Sequence, residues 1–191
     1  LQFAGDGGSW TATGADIVVQ NTLAVASGGV LFDLALLDIN GSYQQTGGTV
    51  TGALLTRVAD SWDQVSGTYN ANGGTVEFDG VTSGQTITSG TFANVLVDGT
   101  GTWTLTGASV VVDQGLTVSG GTLIGDTTLD VNGDLRLLGG AFTAPSALTL
   151  SGTWLRQAGT FSHNNGTVTL DGTHQTVSGS TAFFNLAKAV T

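Results

Sequence analysis

Three stretches in the second half of the chain decide the fold: LTVSGGTL (Leu116–Leu123), LRLLGGAF (Leu135–Phe142) and WLRQAGTF (Trp154–Phe161). Each starts 19 residues after the one before it, and the related TVSGSTAF follows at Thr176. The first half holds the same phase in LAVASGGVL (Leu23–Leu31), YQQTGGTV (Tyr43–Val50), WDQVSGTY (Trp62–Tyr69) and TITSGTF (Thr86–Phe92). The unit is a short strand, a glycine-containing corner and a second short strand, recurring every 19 to 24 residues.

A longer period encloses the short one. GGTVEFDGVTSGQTITSGTFANV (Gly73–Val95) returns as NGTVTLDGTHQTVSGSTAFFNL (Asn165–Leu186), Trp10 returns as Trp103, Trp62 as Trp154 and Tyr69 as Phe161. The offset stays near 92 residues, which divides the chain into two tandem copies, 1–98 and 99–191. A sandwich has no reason to repeat the same apolar positions at a fixed spacing, whereas stacked coils need identical inward residues and corners. The spacing therefore predicts an all-β protein, a parallel β-helix (β-solenoid) of roughly ten coils of about 19 residues. At about 4.8 Å per coil the rod would be about 45 to 50 Å long.

Composition agrees. Of 191 residues, 31 are Gly and 31 Thr, one is Glu, one is Lys, none is Cys and charged residues make up only 9%. Few strong helix formers and abundant Thr and Val favour strands. Four Lys and Arg against a net charge of -10 exclude a nucleic-acid footprint, and no run of about 18 apolar residues could form a transmembrane helix. The absence of Cys excludes disulfides and thiolate metal sites and suits an extracellular or cell-surface protein. The chain opens at Leu1 without a charged segment leading an apolar one, so a signal peptide is expected to have been removed or to lie outside this sequence.

Alternation within a coil predicts what is buried. Trp103 and Leu105 share one face of Thr102–Thr106, and Val76 and Phe78 point inward while Thr75 and Glu77 point outward. Trp10, Trp62, Trp103, Trp154, Phe78 and Phe161 are the core candidates, filling a narrow interior about 10 Å across. Glycines at matching phases, such as Gly47-Gly48 and Gly139-Gly140, supply corners with positive φ.

These Gly- and Thr-rich, Cys-free coils, with the unit GTVTLDGTHQTVSGSTAFFNL (Gly166–Leu186), resemble the right-handed β-helical shafts of filamentous haemagglutinin-like adhesins and other repetitive bacterial surface proteins. The resemblance covers nearly the whole chain. It implies surface display, fibre formation or attachment, and brings no catalytic residues with it.

Candidate chemistry is sparse. The Asp-Gly and Asn-Gly dipeptides, among them Asp79-Gly80, Asp171-Gly172 and Asn132-Gly133, read as turns; calcium at stacked turns is the one metal alternative, and no other cofactor is expected. Asp126, Asp130 and Asp134 are the densest acidic cluster, yet Asp126 and Asp130 recur as Asp33 and Asp38 in the other copy, which suits structure better than one active site. The expectation is a protein that is not an enzyme. His163 and His174 lack metal spacing and, like Lys188, read as solvated. Neither terminus reads as a cap. Leu1, Phe3, Phe183, Phe184 and Leu186 are candidates for end-to-end stacking, so the expected partner is a second copy or further repeats of the chain. Surface glycans are the alternative partner, met by a carbohydrate-binding or carbohydrate-cleaving β-helix using exposed Trp and Asp.

Overall fold

A computed structural model describes residues 1–107, 109–126 and 128–189. Its 24 strands contain no helix between them, and every strand pair is parallel. The coils number about ten, with partners typically 19 residues apart: Leu135 lies opposite Trp154, Leu129 opposite Leu148 and Leu123 opposite Phe142.

Each coil contributes three short strands rather than two, so the solenoid has three faces. Face I stacks Leu23–Val25, the start of Tyr43–Thr51, the start of Trp62–Asn70, Gln85–Ile87, Thr102–Leu105, Thr122–Gly125, Ala141–Thr143 and Thr160–Ser162 on Gln2–Phe3. Face II runs from Ser9–Thr13 and Gly29–Asp33 to Ala147–Leu150, Thr167–Leu170 and Asn185–Lys188. Face III runs from Ile17–Val19 and Leu36–Ile39 to Trp154–Arg156 and Val177–Ser178. In Tyr43–Thr51 and Trp62–Asn70 the strands of faces I and II merge around one corner; in Gly90–Val97 and Ser109–Val118 those of faces II and III do. That is why the hydrogen bonding sorts into one 11-stranded and one 13-stranded sheet rather than three.

The interior is one apolar column. On face III the inward rows hold Leu37, Val76, Leu116, Leu135 and Trp154, and Ile39, Val58, Phe78, Val97, Val118 and Leu137, all buried. Rings pack within it: Tyr43 stacks on Trp62 at 3.9 Å, and Tyr69 and Phe92 meet the edge of Trp62 at 4.7 and 5.1 Å. One polar node is fully enclosed. Gln45 accepts from the Tyr43 hydroxyl at 2.8 Å and donates to the carbonyls of Gly47, Gly48 and Thr68, which satisfies its amide.

Stacked corners require glycine where coils approach closely. At Gly48 and Gly140, φ is +70° and +58°, and a Cβ would come 2.4 Å from the carbonyl oxygens of Gly28 and Gly120 in the coil before.

The two sequence copies do not occupy the same faces. Trp62 stands on face I and Trp154 on face III; Tyr69 is on face II and Phe161 on face I; Thr75–Phe78 is on face III and its counterpart Thr167–Leu170 on face II. Every matched pair is displaced by one face in the same sense. From Trp62 to Trp154 the chain completes four coils and two further faces, so the longer period is not a whole number of coils. A three-sided prism accepts this because a third of a turn superposes one inward row on the next.

Candidate functional site

The residues that sequence singled out fall into the interior, the two ends and the side faces. Trp62, Trp103, Trp154 and Phe78 are fully buried, whereas Trp10 and Phe161 are half-buried against the core. Three of the four tryptophans are thus out of reach of any ligand. Trp103 and Trp154 direct their indole N–H groups to the Asp60 carbonyl and the Thr181 hydroxyl, at 3.0 and 3.1 Å.

At the first coil Phe3 and Trp10 pack at 5.4 Å and Phe3 meets the edge of Phe32, leaving Leu1 exposed. At the last coil Trp154, Phe161 and Phe183 form a cluster with centroids 4.9 to 5.8 Å apart, while Phe184 is exposed beside His163 and Leu186 is exposed on the terminal strand. Among the described residues, Ser9–Thr13 pairs on one edge only, with Gly29–Asp33, and Asn185–Lys188 only with Thr167–Leu170. Among the described residues, half-buried rings lie beneath these outermost strands.

In the last coil Lys188 is exposed, yet its ammonium is tied to the backbone around it. Lys188 lies opposite Leu170, in the row that carries Leu150 inward one coil earlier. Its ammonium donates to the carbonyls of Leu170, Gly172 and Ala189 and to Gln175 Oε1. Arg156 likewise ends an inward row of face III and donates to the carbonyls of Ser180 and Gly159, at 2.5 and 2.7 Å. Periodicity places both cations in inward rows; Lys188 is exposed and Arg156, whose strand pairs with Val177–Ser178, is half-buried, and both turn to backbone oxygens.

The acidic residues are spread around the prism. Asp126 is exposed in a corner, Asp130 accepts from the Thr149 hydroxyl on the outer surface of face II, and Asp134 begins a strand of face III. The Asp134 carboxyl accepts from the Thr153 amide at 2.8 Å and from Arg136 at 3.0 Å; these bonds hold its pKa below the usual carboxylate range. Glu77 points outward in register but is nearly buried, because Arg57 lies across it with Nε 2.8 Å from its carboxylate. Asp79, 4.0 Å from the same guanidinium, is pushed up by burial and by the charges of Glu77 and Asp38. His163 accepts from the Asn165 amide and His174 is exposed. Among the described residues, no group of three His, Cys, Asp or Glu side chains is arranged to hold a metal ion.

The concave surface that sequence reasoning missed lies on face III and the corner leading to it. One groove of about 350 Å³ is lined by Thr75, Asn94, Gln114, Gly115, Asp134 and Arg136, together with Leu96 and Thr117. A second recess of about 210 Å³ shares Gln114 and takes in Asn70, Asn72, Thr91, Ala93 and Asp113. Corner length explains both. The corner before Thr75 spans residues 71–74, whereas the next has only Ala93 between Phe92 and Asn94. Opposite Ala93 the following coil places two residues, Asp113 and Gln114, in a bulge that turns their side chains outward. On face II, among the described residues, no strand pairing joins 68–70 to 90–92, so the ladder has a fault beside this recess.

Compared with known proteins, the chain matches no family model, no curated protein and no solved structure.

Proposed function

We propose that the chain is a structural shaft module of a bacterial extracellular fibre, filament or adhesin, whose ends stack on second copies or continue into further repeats. The observation that carries this reading is the polarity of the rod. Its apolar rows run through the described coils, and among the described residues the outermost strands pair on one edge only; an unpaired strand edge is a template for pairing with another chain. Residues 1–56 hold four aspartates (Asp6, Asp16, Asp33 and Asp38) and no Lys or Arg, while residues 141–191 hold Arg156 and Lys188 against the single acid Asp171. Opposite charge at the two ends favours head-to-tail contact over head-to-head, and a heterologous contact of that kind propagates as a filament. The parallel ladders supply stiffness, and a hydroxyl-rich side surface of low charge density limits ionic contacts with other molecules.

The test is Leu186→Asp, which adds a negative charge to an exposed side chain on the terminal strand. Sedimentation of the purified chain should show concentration-dependent growth that the variant loses while its unfolding midpoint holds. Growth unaffected by the substitution would refute stacking through this end.

A further inference from the structure

The polar groove on face III has no part in the shaft. It lies on the side of the rod, so end-to-end stacking leaves it open. We propose that the groove formed by Asn94, Gln114, Gly115, Asp134 and Arg136, with the recess over Ala93, is a binding site for a neutral oligosaccharide.

Four features of the site lead to this ligand class. First, its walls are amides and carboxylates that present donors and acceptors side by side, the complement of paired hydroxyls. Asn94 Nδ2 donates to Gln114 Oε1 at 3.0 Å, which fixes both amide planes and leaves the Gln114 amide nitrogen without a protein partner. Second, the charge balance disfavours an acidic sugar. Asp113 and Asp134 outnumber the one guanidinium, and that guanidinium is held by Asp134. Third, the lining has the mixed character a sugar ring needs, with Val95, Leu96 and Thr117 beside the amides and carboxylates. Fourth, the lining residues come from four successive coils, those of Thr75, Asn94, Gly115 and Asp134. Three coil rises of about 4.8 Å make an elongated trough suited to an oligomer rather than a single ring.

Gly115 is the key to the shape. The outward row on this face reads Leu55, Thr75, Asn94, Gly115, Asp134, so the one missing side chain sits at the centre of the trough. A Cβ at Gly115 meets nothing closer than Asn94 Oδ1 at 3.6 Å and the Asp134 carbonyl at 3.7 Å. Most corner glycines are crowded by the neighbouring coil; here the backbone would tolerate a side chain and the space stays empty. The sequence counterpart of Ala93 is Phe184, which is exposed.

The experiment is titration calorimetry of the full chain with cellohexaose, maltohexaose, mannohexaose, chitohexaose and, as the charged counterpart, hexagalacturonate. The expected result is binding of at least one neutral hexasaccharide, no binding of hexagalacturonate, and a loss of affinity of tenfold or more in Gly115→Leu with an unchanged unfolding midpoint. Gln114→Ala, exposed on the bulge, serves as the second variant should Gly115→Leu fail to fold, and should weaken binding at least threefold. Binding of no neutral hexasaccharide, preference for hexagalacturonate, or affinity unchanged in the folded variants would overturn the proposal. Sedimentation of the same samples reads filament growth separately, so the two readings fail independently.

Discussion

At the scale of the residue, neighbouring glycines play opposite parts. Gly140 combines positive φ with a carbonyl 2.4 Å from where its Cβ would be, whereas Gly115 borders open space. Gly140→Ala should therefore cost at least about 1–2 kcal/mol from the left-handed backbone alone, with the overlap adding to it, while Gly115→Ala should fall within about 0.5 kcal/mol of the parent. Urea unfolding of the pair checks the contrast. Trp62 is buried among Tyr43, Tyr69 and Phe92, so Trp62→Ala should cost about 3–5 kcal/mol. Its indole N–H has no hydrogen-bond partner, unlike those of Trp103 and Trp154. A strand offers only two sides, and Trp62, Trp103 and Trp154 lie on the buried one. Alternation could not show that the outward Glu77 would be covered, since that depends on Arg57 one coil away in space and 20 residues away in sequence.

At the scale of the element, charge is organised along ladders and so responds to pH in a defined direction. Asp134 is ionised more readily in the folded chain than in the unfolded one. Its contribution to stability is fully present above the unfolded carboxylate pKa and fades as pH falls through its lowered folded value; Asp134→Asn should flatten that acid limb of an unfolding curve. Asp79 behaves oppositely. Its raised pKa makes the ionised form a burden that grows as pH rises through the carboxylate range, so Asp79→Asn should be neutral or stabilising at pH 7 and without effect in acid. At the alkaline end, burial pushes the Tyr69 hydroxyl up to about 12. The unfolded chain ionises first, so stability should fall from about pH 10 upward, followed by tyrosinate absorbance. Two strands per coil were legible because a glycine pair at constant spacing separates them. The third was not, because its corners vary from the single Ala93 to the six residues 171–176 and set no fixed period. The groove was hidden for the same reason: it is made by a difference in corner length, which the sequence carries only as a slip between copies.

At the scale of the whole molecule, the repeat of the sequence and the repeat of the structure are out of step. Each copy advances four coils and two faces, so like positions of successive copies would return to one face only after three copies. A surface feature carried by each copy would then wind around the rod instead of lining one side. The prism tolerates this because all three inward walls demand the same thing, apolar side chains and tight corners. The outer surface is free to differ: Ala93 is buried, whereas its counterpart Phe184 is exposed beside His163. The two halves of the rod differ in charge as well, residues 1–56 holding four aspartates and no Lys or Arg and residues 141–191 holding Arg156 and Lys188 against Asp171, and assembly driven by that difference should weaken as salt rises. Electron microscopy of the purified chain over a range of concentrations, at low salt, tests the stacking most directly. The account predicts filaments one solenoid wide with an axial subunit repeat of about 45 to 50 Å, set by roughly ten coils at about 4.8 Å each; monodisperse rods of that length at every concentration would contradict it.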